Sequence, residues 1–450
     1  MEGMLVRSRY AHLLKLNGSY YIVGNISGGI AELDDAAKRD YICTNTKLSL
    51  SSLKNDSPFD SEEQDFLLNA SIYVDESSDE DAAFAGRIEE FRGKDELNVI
   101  LALTEDCNFK CPYCYERHVN NYMTLDEVDS VIRFVRGMAE KHDTSVMRIA
   151  YFGGEPLLNK AALRYAHKRI EEEFPSMIKD YLLITNGYLL DKETVDFLAE
   201  SGSYLSVQVT VDGPPAIHDE RRPLRGGGPS FERIISNIVY ASEKLPVVIR
   251  MNFDKDSIGY ADELLEIIEA AGVNKARAVI SANMAISNTQ FNNDYKTKCL
   301  ENGLETLNAL SRVSKHALKR GFKLDSKSAH YERPGGYGGF PFGAPKFLFC
   351  AAYTGKHLVF MPGGDIFSCM ERVSDKRFAV GNINAFPAFN ANYGKWKGFS
   401  IAKFDKCRAC PVSCLCGGGC GSESIGAHGD LSEPVCFMSR SLVEDGCVVF

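Results

Sequence analysis

The sequence places its cysteines in two widely separated groups. Fourteen of the 450 residues are cysteine; three form a tight group at Cys107, Cys111 and Cys114, and nine lie between Cys350 and Cys447. The first ten residues mix charged and apolar side chains without a hydrophobic signal segment, which predicts a cytoplasmic protein with reduced thiols. Cysteines in a reducing compartment favour bound metal over disulfides, so two metal-binding regions in different domains are expected.

The composition narrows the class of protein. Hydrophobic residues make up 44% of the chain and charged residues 25%, as in an ordinary soluble globular protein of two or three domains. The 51 basic and 61 acidic residues give a net charge of −10, which disfavours nucleic acid as a partner. No apolar run reaches the roughly 18 residues of a membrane span. Fibrous, disordered and membrane-spanning proteins are therefore excluded.

The N-terminal residues predict a small α+β unit. Two alternating segments, Tyr10–Leu16 and Ser19–Val23, flank Asn17-Gly18, a strong signal for a β-hairpin. A third strand is expected at Ile30–Leu33. Ser61, followed by Gln64 three residues later, predicts a capping box at the start of a helix.

Four regions follow one another along the chain. Residues 1–75 form the α+β unit, and residues 76–95 are interpreted as a linker because Glu76–Asp81 is acidic and serine-containing. Residues 96–320 alternate between strand and helix patterns. In residues 321–450 this periodicity is lost among cysteines and glycines, which predicts a loop-rich domain that folds around metal.

Residues 96–320 have a strand–helix pattern that predicts the fold of the central region. Thr124 with Glu127 predicts a capping box, and the helix that follows has an apolar face; another helix is expected over Gly259–Ala271. Strands alternating with helices predict an α/β fold with a parallel sheet or barrel, and chemistry at the carboxyl ends of its strands. The six apolar runs interpreted as strands are Leu97–Leu103, Met147–Phe152, Tyr181–Ile184, Tyr204–Val211, Val247–Phe253 and Ala276–Ile280.

The first cysteine group follows the first of these strands with the spacing C-x₃-C-x₂-C. Three thiolates can hold three irons of a [4Fe–4S] cluster and leave the fourth iron open. A zinc site is the alternative, but the nearest fourth ligand is His118. The motif resembles the radical S-adenosylmethionine (SAM) superfamily. This resemblance implies a partial (β/α)₆ barrel, SAM bound at the open iron, and reductive cleavage to methionine and a 5′-deoxyadenosyl radical that abstracts hydrogen from substrate.

Further motifs of that family follow later strands in the expected order. Gly153-Gly154-Glu155-Pro156 resembles its "GGEP" segment, which receives the SAM ammonium group, and Thr185-Asn186-Gly187 resembles its "TNG" segment. The resemblance implies that either Arg222 or Arg233 pairs with the SAM carboxylate. Taken together, the expected SAM contacts are Tyr113, Gly153, Gly154, Glu155, Asn186, Thr210, Asp212 and Arg222.

The later cysteines resemble the SPASM extension of radical SAM enzymes. Cys350 and Gly364 are separated by thirteen residues, Gly364 and Cys369 by four, and a C-x₂-C-x₅-C-x₃-C motif and a final cysteine follow. The resemblance implies two auxiliary [4Fe–4S] clusters, hence three clusters in all. Its ligand sets are Cys350, Cys369 and Cys420 for the first, and Cys407, Cys410, Cys416 and Cys436 for the second. A zinc ribbon is the alternative and leaves Cys350, Cys369 and Cys436 without a role.

Four cysteines remain outside these sets. Cys43 and Cys299 are interpreted as buried small hydrophobic residues. Cys414 is interpreted as a bystander or an extra cluster ligand. Cys447 begins a formal C-a-a-X ending, but prenylation is not expected beside clusters typical of anaerobic bacterial chemistry. Trp396 is interpreted as a packing residue.

The favoured function is an enzyme, a radical SAM/SPASM oxidoreductase that modifies a ribosomally made precursor peptide. Residues 1–75 resemble the winged-helix-like domain that captures a leader peptide by adding it to a sheet edge. The expected product is a cross-link, either a Cys thioether or a carbon–carbon bond, and the auxiliary clusters would remove the second electron. An electron donor such as flavodoxin or ferredoxin is the other expected partner. No catalytic side chain is identified.

Three alternatives remain. An anaerobic sulfatase (formylglycine) maturase resembles the chain in both cysteine groups, but such enzymes carry Asp where this chain has Met370, after Cys369. A quinone-precursor or amine-dehydrogenase maturase is similar. A non-enzymatic iron–sulfur electron carrier or zinc scaffold would not need the segment Gly153–Pro156.

The first auxiliary ligand set contains only three cysteines. The stretch from Phe342 to Phe349 has no Cys, Asp, Glu or His that could complete it. The sequence therefore predicts one open iron, which could hold the thiolate of a substrate cysteine. Alternatively, Cys414 folds back as the fourth ligand, or a buffer thiol or water fills the position.

Overall fold

The computed structural model describes residues 3–16, 19–33, 35–93, 95–201, 204–284, 303–324, 345 and 347–436. The N-terminal part consists of short strands and helices. Its strands form two antiparallel sheets, with the strand orders β2-β3-β4 and β5-β1-β6. Its elements are β1 (Met4–Arg7), β2 (Ala11–Leu16), β3 (Ser19–Gly24), β4 (Gly29–Glu32), α1 (Ala36–Thr44), β5 (Lys47–Ser49), α2 (Leu50–Asp56), α3 (Ser61–Asn69), β6 (Tyr73–Asp75) and α4 (Glu80–Arg92).

The β2–β3 hairpin is confirmed by its register. Leu16 lies opposite Ser19 and Ala11 opposite Gly24; the two turn residues lie outside the described part of the chain. Successive side chains of a strand point to opposite faces. Leu13 of β2 therefore joins the apolar core formed with α1, α2 and α3, whereas Leu14 joins a second core on the opposite face.

One expectation for this region is wrong. The capping box of α3 is made by Asp60 with Glu63, so Ser61 is the first helical residue rather than the cap. The segment interpreted as a linker contains α4, whose N-cap Asp79 accepts from the backbone amide of Ala82. Residues 76–79 are exposed and precede the helix, whereas Glu80 and Asp81 form its acidic first turn, where negative charge stabilises a helix. The linker itself stays a prediction.

The central region alternates strands and helices and forms a parallel sheet. Its strand order is β13-β12-β11-β10-β9-β8-β7, as expected for successive β-α units. The elements are β7 (Leu97–Thr104), α5 (Leu125–His142), β8 (Val146–Gly153), α6 (Lys160–Glu173), β9 (Ile178–Thr185), α7 (Lys192–Glu200), β10 (Tyr204–Thr210), α8 (Pro215–Arg221), α9 (Phe231–Lys244), β11 (Val247–Phe253), α10 (Ala261–Ala270), β12 (Ala278–Met284), α11 (Gly303–Lys319) and β13 (Lys323–Leu324).

The six predicted strands are all present and only their ends differ. β11 has the predicted bounds, and the Thr124–Glu127 capping box of α5 is confirmed. The largest difference is at β12, which continues to Met284 instead of ending at Ile280; it begins at Ala278 because the preceding residues form a turn. β13 still pairs in parallel with β12 beyond residue 320, so the domain boundaries stay predictions. Among the described residues, no helix is long and apolar enough to cross a membrane.

The C-terminal region is joined to the barrel sheet. β14 pairs in parallel with β7, with His357 opposite Asn98, and two short antiparallel strands extend the sheet. Phe360, Ile366 and Trp396 belong to the same apolar core as the barrel strands, so this region does not depend on metal alone. Its elements are β14 (His357–Phe360), β15 (Asp365–Phe367), β16 (Gly381–Asn382), α12 (Ala391–Gly398), α13 (Asp405–Arg408), α14 (Ser413–Cys416) and α15 (Gly421–His428).

Candidate active site and auxiliary cysteine groups

The first cysteine loop follows β7 and is held against the end of β8. The Gly154 amide donates to the Thr104 carbonyl at 3.0 Å, and the Glu155 amide to the Asp106 carbonyl at 2.8 Å. A Cβ on Gly153 would lie 2.1 Å from the Thr104 oxygen, and one on Gly154 2.3 Å from the Asp106 oxygen. Only glycine fits at both positions, so this pair packs the two loops together.

The thiols of this loop are enclosed. Cys107 is 5% exposed, and burial, followed by the charge of Glu155, raises its pKa to about 12. Burial also raises the pKa of Cys111 and Cys114. Such thiols keep their protons unless a metal replaces them, because metal binding releases the thiol proton. The donor set therefore suits a positively charged iron centre.

The zinc alternative fits this loop poorly. The His118 Nε2 atom lies 3.4 Å from the Cys114 sulfur. However, no three His, Cys, Asp or Glu side chains in the described part of the chain converge on a point where one metal ion could sit. A single zinc needs its ligands at about 2.0–2.3 Å from one centre, whereas a [4Fe–4S] cluster binds each thiolate on a different iron.

Glu155 lies beside this loop and is fully buried. Its Oε1 atom accepts from the Thr185 hydroxyl at 2.7 Å, and its Oε2 atom accepts from the Asn186 amide at 2.8 Å. Burial raises the pKa of this carboxyl despite those bonds. The Asn186 side chain donates to the Asn108 Oδ1 atom at 2.8 Å and lies 4.0 Å from the Cys107 sulfur. Glu155, Asn186 and the cysteine loop are therefore in one place.

Three further predicted residues form one buried network. The Tyr113 hydroxyl donates to the Asp212 Oδ2 atom. The Arg222 Nη1 atom donates to the Tyr113 hydroxyl at 2.5 Å and lies 3.5 Å from the same carboxylate oxygen. The Asn252 amide donates to Asp212 Oδ1 at 3.0 Å. Arg222 Nε is buried and has no hydrogen-bond partner among the described residues, which leaves a donor for an anionic ligand.

The structure distinguishes the two candidate arginines. Arg222 is 8% exposed and belongs to the network around Asp212. Arg233 is exposed on α9 and lies 4.2 Å above the Tyr188 ring. The remaining predicted contact, Thr210, is the last residue of β10 and is 8% exposed.

Sequence reasoning missed residues that support this site. His218 is fully buried, and its Nδ1 atom accepts from the Asp212 amide at 3.3 Å. Asp106 accepts from the Arg225 guanidinium at 2.8 Å and from the Tyr122 hydroxyl at 3.0 Å. Burial raises the pKa of Glu116 to about 8, with a contribution from the charge of Glu105. Proximity to the cysteine motif was the one signal for Asp106 and Glu116.

The first auxiliary cysteines are neighbours in space. Burial raises the pKa of Cys369, and the charges of Cys350 and Cys420 act in the same direction. Tyr353 lies beside the same three thiols and donates its hydroxyl proton to the Gly419 carbonyl at 2.8 Å. Cys369 and Cys420 come together because the segment after β15 packs against the start of α15, whose N-cap is Cys420. Buried Arg372 joins these segments through a 2.8 Å bond to the Ser422 hydroxyl.

The second auxiliary cysteines line one cavity of about 670 Å³. Its volume lies within the range of about 300–1,000 Å³ typical of small-molecule and cofactor sites. Ser413 also lines it, and its hydroxyl is buried without a hydrogen-bond partner among the described residues. A buried hydroxyl of this kind fits a cofactor that accepts hydrogen bonds. The four cysteines on the cavity wall are Cys407, Cys410, Cys416 and Cys436.

The remaining cysteines lie elsewhere. Cys43 is exposed, so its interpretation as a buried residue is wrong; α1 turns Ile42 inward and leaves its neighbour outside. Cys414 is fully buried, and the thiols that influence its pKa are Cys410 and Cys416 of the second group. Cys299 and Cys447 lie outside the described residues. Trp396 is buried and stacks on Tyr353, as expected for a packing residue.

Comparison with known proteins identifies one domain of the chain. Residues 101–279 match the family model described as the Radical SAM superfamily. Sporulation killing factor maturation protein SkfB from Bacillus subtilis is 28% identical over 174 residues, which are 38% of this chain and 39% of SkfB. The chain spans 39% to 59% of the length of the first curated relatives that it matches. The chain therefore contains a radical SAM domain.

Two solved structures share the fold. Streptococcus suis SuiB bound to precursor peptide SuiA matches with a TM-score of 0.56 at 17% identity, over 97% of this chain and all of that chain. Native anSMEcpe with bound AdoMet and Cp18Cys peptide matches with a TM-score of 0.60 at 17% identity, over 78% of this chain and 95% of that chain. These matches confirm the predicted fold class.

Proposed function

We propose that this protein is a radical SAM enzyme with two auxiliary clusters that modifies a ribosomally made precursor peptide. The observation that carries the proposal is the separation of ten cysteines into three enclosed groups, one of them at the strand ends beside Asp212 and Arg222. Cys107, Cys111 and Cys114 would hold a [4Fe–4S] cluster that binds SAM; given one electron by an external donor, this centre would supply a 5′-deoxyadenosyl radical that takes a hydrogen atom from substrate.

The buried network around Asp212 suggests a role for each of its residues. Arg222 presents its spare Nε donor to an anionic group, which suits the SAM carboxylate. Tyr113 keeps its proton because burial raises its pKa, so it holds Asp212 in place by donating to it. Glu155 is already bonded to Thr185 and to the Asn186 amide. We therefore assign its side chain to positioning this strand end, with the SAM ammonium received close by.

A peptide substrate is supported by the names of the similar proteins. SkfB is a maturation protein, and SuiB is bound to a precursor peptide. The first auxiliary group supplies three thiols, since Cys414 lies with the second group. Three ligands leave one iron position for a substrate thiolate. We therefore propose a Cys thioether as the product. Its formation removes two hydrogen atoms from the peptide: the hydrogen on carbon is taken by the 5′-deoxyadenosyl radical, and the thiol loses its hydrogen as a proton. The remaining electron would pass to an auxiliary cluster.

The decisive test starts from anaerobically reconstituted protein. Iron and sulfide are measured first, and SAM cleavage is then followed as release of 5′-deoxyadenosine under a chemical reductant. We expect iron and sulfide for three clusters and release of 5′-deoxyadenosine. Zinc without 5′-deoxyadenosine would contradict the proposal and favour a binding scaffold. Clusters without SAM cleavage would favour an electron carrier.

The product is tested with the peptide encoded by a neighbouring short open reading frame. Mass spectrometry after reaction should show loss of two hydrogen atoms and of one thiol that can be alkylated. Loss of two hydrogen atoms with every thiol retained would indicate a carbon–carbon bond instead. Conversion of a cysteine to an aldehyde would indicate a formylglycine maturase, whose expected Asp is replaced here by Met370.

We propose that the leader peptide pairs with β4. The Leu33 amide donates to the Tyr20 carbonyl at 2.7 Å, so in antiparallel alternation the Glu32 amide points away from β3. The other edge strand, β2, is partly used because the Ala11 amide donates to the Ser8 carbonyl. An edge strand with outward amides is a template for a further strand.

Two matched proline variants test this edge. Glu32→Pro removes an outward amide from β4, and Lys15→Pro removes one from β2; both residues are exposed. We expect Glu32→Pro to weaken leader binding at least tenfold in a fluorescence titration, and Lys15→Pro to leave it unchanged. The reverse result would place the leader on β2, and no effect of either variant would rule out strand addition to this sheet.

A further inference from the structure

The β2–β3–β4 sheet lies between the N-terminal helices and the second auxiliary cysteine group. On one face its side chains pack with α1, α2 and α3. On the other face Leu14, Val23 and Ile30 share an apolar core with residues of the cysteine segment. The members of this core from that segment are Cys407, Val412, Cys414 and Leu415. The N-terminal sheet thus packs directly against the loop that carries the second ligand set.

Asn25 connects the sheet to that loop by two polar contacts. It follows β3 directly, is fully buried, and starts the turn that leads into β4. Its Nδ2 atom donates to the Cys410 carbonyl at 2.9 Å. Its Oδ1 atom accepts from the Cys414 amide at 3.4 Å. One side chain therefore holds both ends of the backbone between Cys410 and Cys414.

Tyr10 lies beside this clamp, because its carbonyl accepts from the Asn25 amide at 2.8 Å. The Tyr10 hydroxyl donates to Asp81 of α4 at 2.5 Å. The hydrogen bond from Tyr10 lowers the pKa of Asp81, and the charge of Arg408, between Cys407 and Cys410, acts in the same direction. The Phe347 amide donates to the Cys414 carbonyl at 3.1 Å and thereby holds the far end of the same loop.

From this geometry we infer that the β3–β4 turn is a built-in part of the second auxiliary site and that Asn25 is its positioning residue. The inference rests on the proposed second cluster. Partners outside the ligand shell orient the ligands, and hydrogen bonds and solvent exposure set the potential of an iron–sulfur cluster. Asn25 acts through the backbone that carries Cys410, so its loss should loosen that cluster and change its potential, while the first cluster is unaffected.

The test compares full-length, anaerobically reconstituted variants. Asn25→Ala removes both contacts, whereas Asn25→Asp keeps the acceptor for the Cys414 amide and loses the donor to the Cys410 carbonyl. Asn45→Ala is the matched control, because its side chain donates to the Tyr41 carbonyl at 2.9 Å within the same N-terminal region. The measurements are the rate of iron loss to a chelator, the EPR spectrum and midpoint potential of each reduced cluster, and 5′-deoxyadenosine release.

We expect Asn25→Ala to release one cluster's iron about tenfold faster, the usual scale for losing an outer-shell partner. The potential of that cluster should shift, Asn25→Asp should show the same change, and Asn45→Ala should match the wild type. Release of 5′-deoxyadenosine reports on the first cluster, and Asn45→Ala should leave it unchanged. Wild-type iron retention and potentials in both Asn25 variants would overturn the inference. Absence of clusters or SAM cleavage in the wild-type protein would instead refute the proposed function.

Discussion

The cysteine loop after β7 and the second auxiliary group are supported in different ways. The first is fixed by strand ends: Gly153 and Gly154 pack directly on the backbone before Cys107. The second lies on two helices of four residues each and on the Asn25 clamp, 385 positions away in sequence. The site in the barrel is therefore supported by the core of the barrel itself, whereas the second cysteine group is supported by the N-terminal sheet.

The largest effect is expected when the first ligand set is removed. The triple variant with Ala at Cys107, Cys111 and Cys114 should abolish 5′-deoxyadenosine release while keeping about two thirds of the iron, because the other two sites lie on separate segments. Chromatography with product quantification and iron analysis give both values. Continued release of 5′-deoxyadenosine would show that the active site is elsewhere.

A large effect is also expected when residues 1–75 are deleted. This removes the β2–β3–β4 sheet and exposes the apolar core that it shares with the second cysteine group. We expect SAM cleavage without substrate to persist, leader binding to be lost and one cluster's iron to be lost. A truncated protein with its full iron content would show that the sheet binds the leader but does not support the second cysteine group.

Removal of iron by a chelator should affect the barrel and the second cysteine group differently. Because the barrel strands share a large core, their amides should keep their hydrogen-exchange protection. Residues 405–436 have short helices and a cavity at the ligand site, so their protection should fall strongly. Hydrogen exchange with mass spectrometry measures both regions in one sample, and equal loss in the two would contradict the distinction.

A smaller effect is expected within the first site from the two arginines. Arg222→Gln removes a buried charge from the Asp212 network and should weaken SAM binding about tenfold or more. Arg233→Gln, on the exposed side of α9, should leave SAM affinity unchanged. Calorimetric titration with SAM provides the affinities, and a thermal melt of each variant separates lost affinity from lost folding.

The smallest expected effect is a pH dependence of barrel stability. Burial lowers the pKa of His218 to about 4, from an ordinary value of about 6.5. The unfolded chain therefore takes up this proton first as the pH falls, and the folded protein loses up to about 3 kcal/mol of stability between pH 6.5 and 4. His218→Phe should flatten this part of the curve in urea unfolding experiments, and an unchanged slope would contradict the assignment.

The sequence predicted what depends on local patterns. Thr124 and Glu127 form their capping box within one turn, and β11 alternates apolar residues over its full length, so both were correct. The grouping of cysteines could also be read from their spacing. The choice of Arg222 over Arg233 could not, because both follow the same motif and only tertiary packing buries one of them. Asn25 carried no local signal at all.

The distance between Asn25 and Cys410 along the chain also orders events during synthesis. The β2–β3–β4 hairpins are made from local contacts and can form as soon as they leave the ribosome. Cys410 follows Asn25 by 385 positions, so the contacts of the Asn25 clamp form only after most of the barrel has been translated. The cysteine loop of the barrel can therefore form earlier in synthesis than this clamp, because Cys107, Cys111 and Cys114 all precede Cys410.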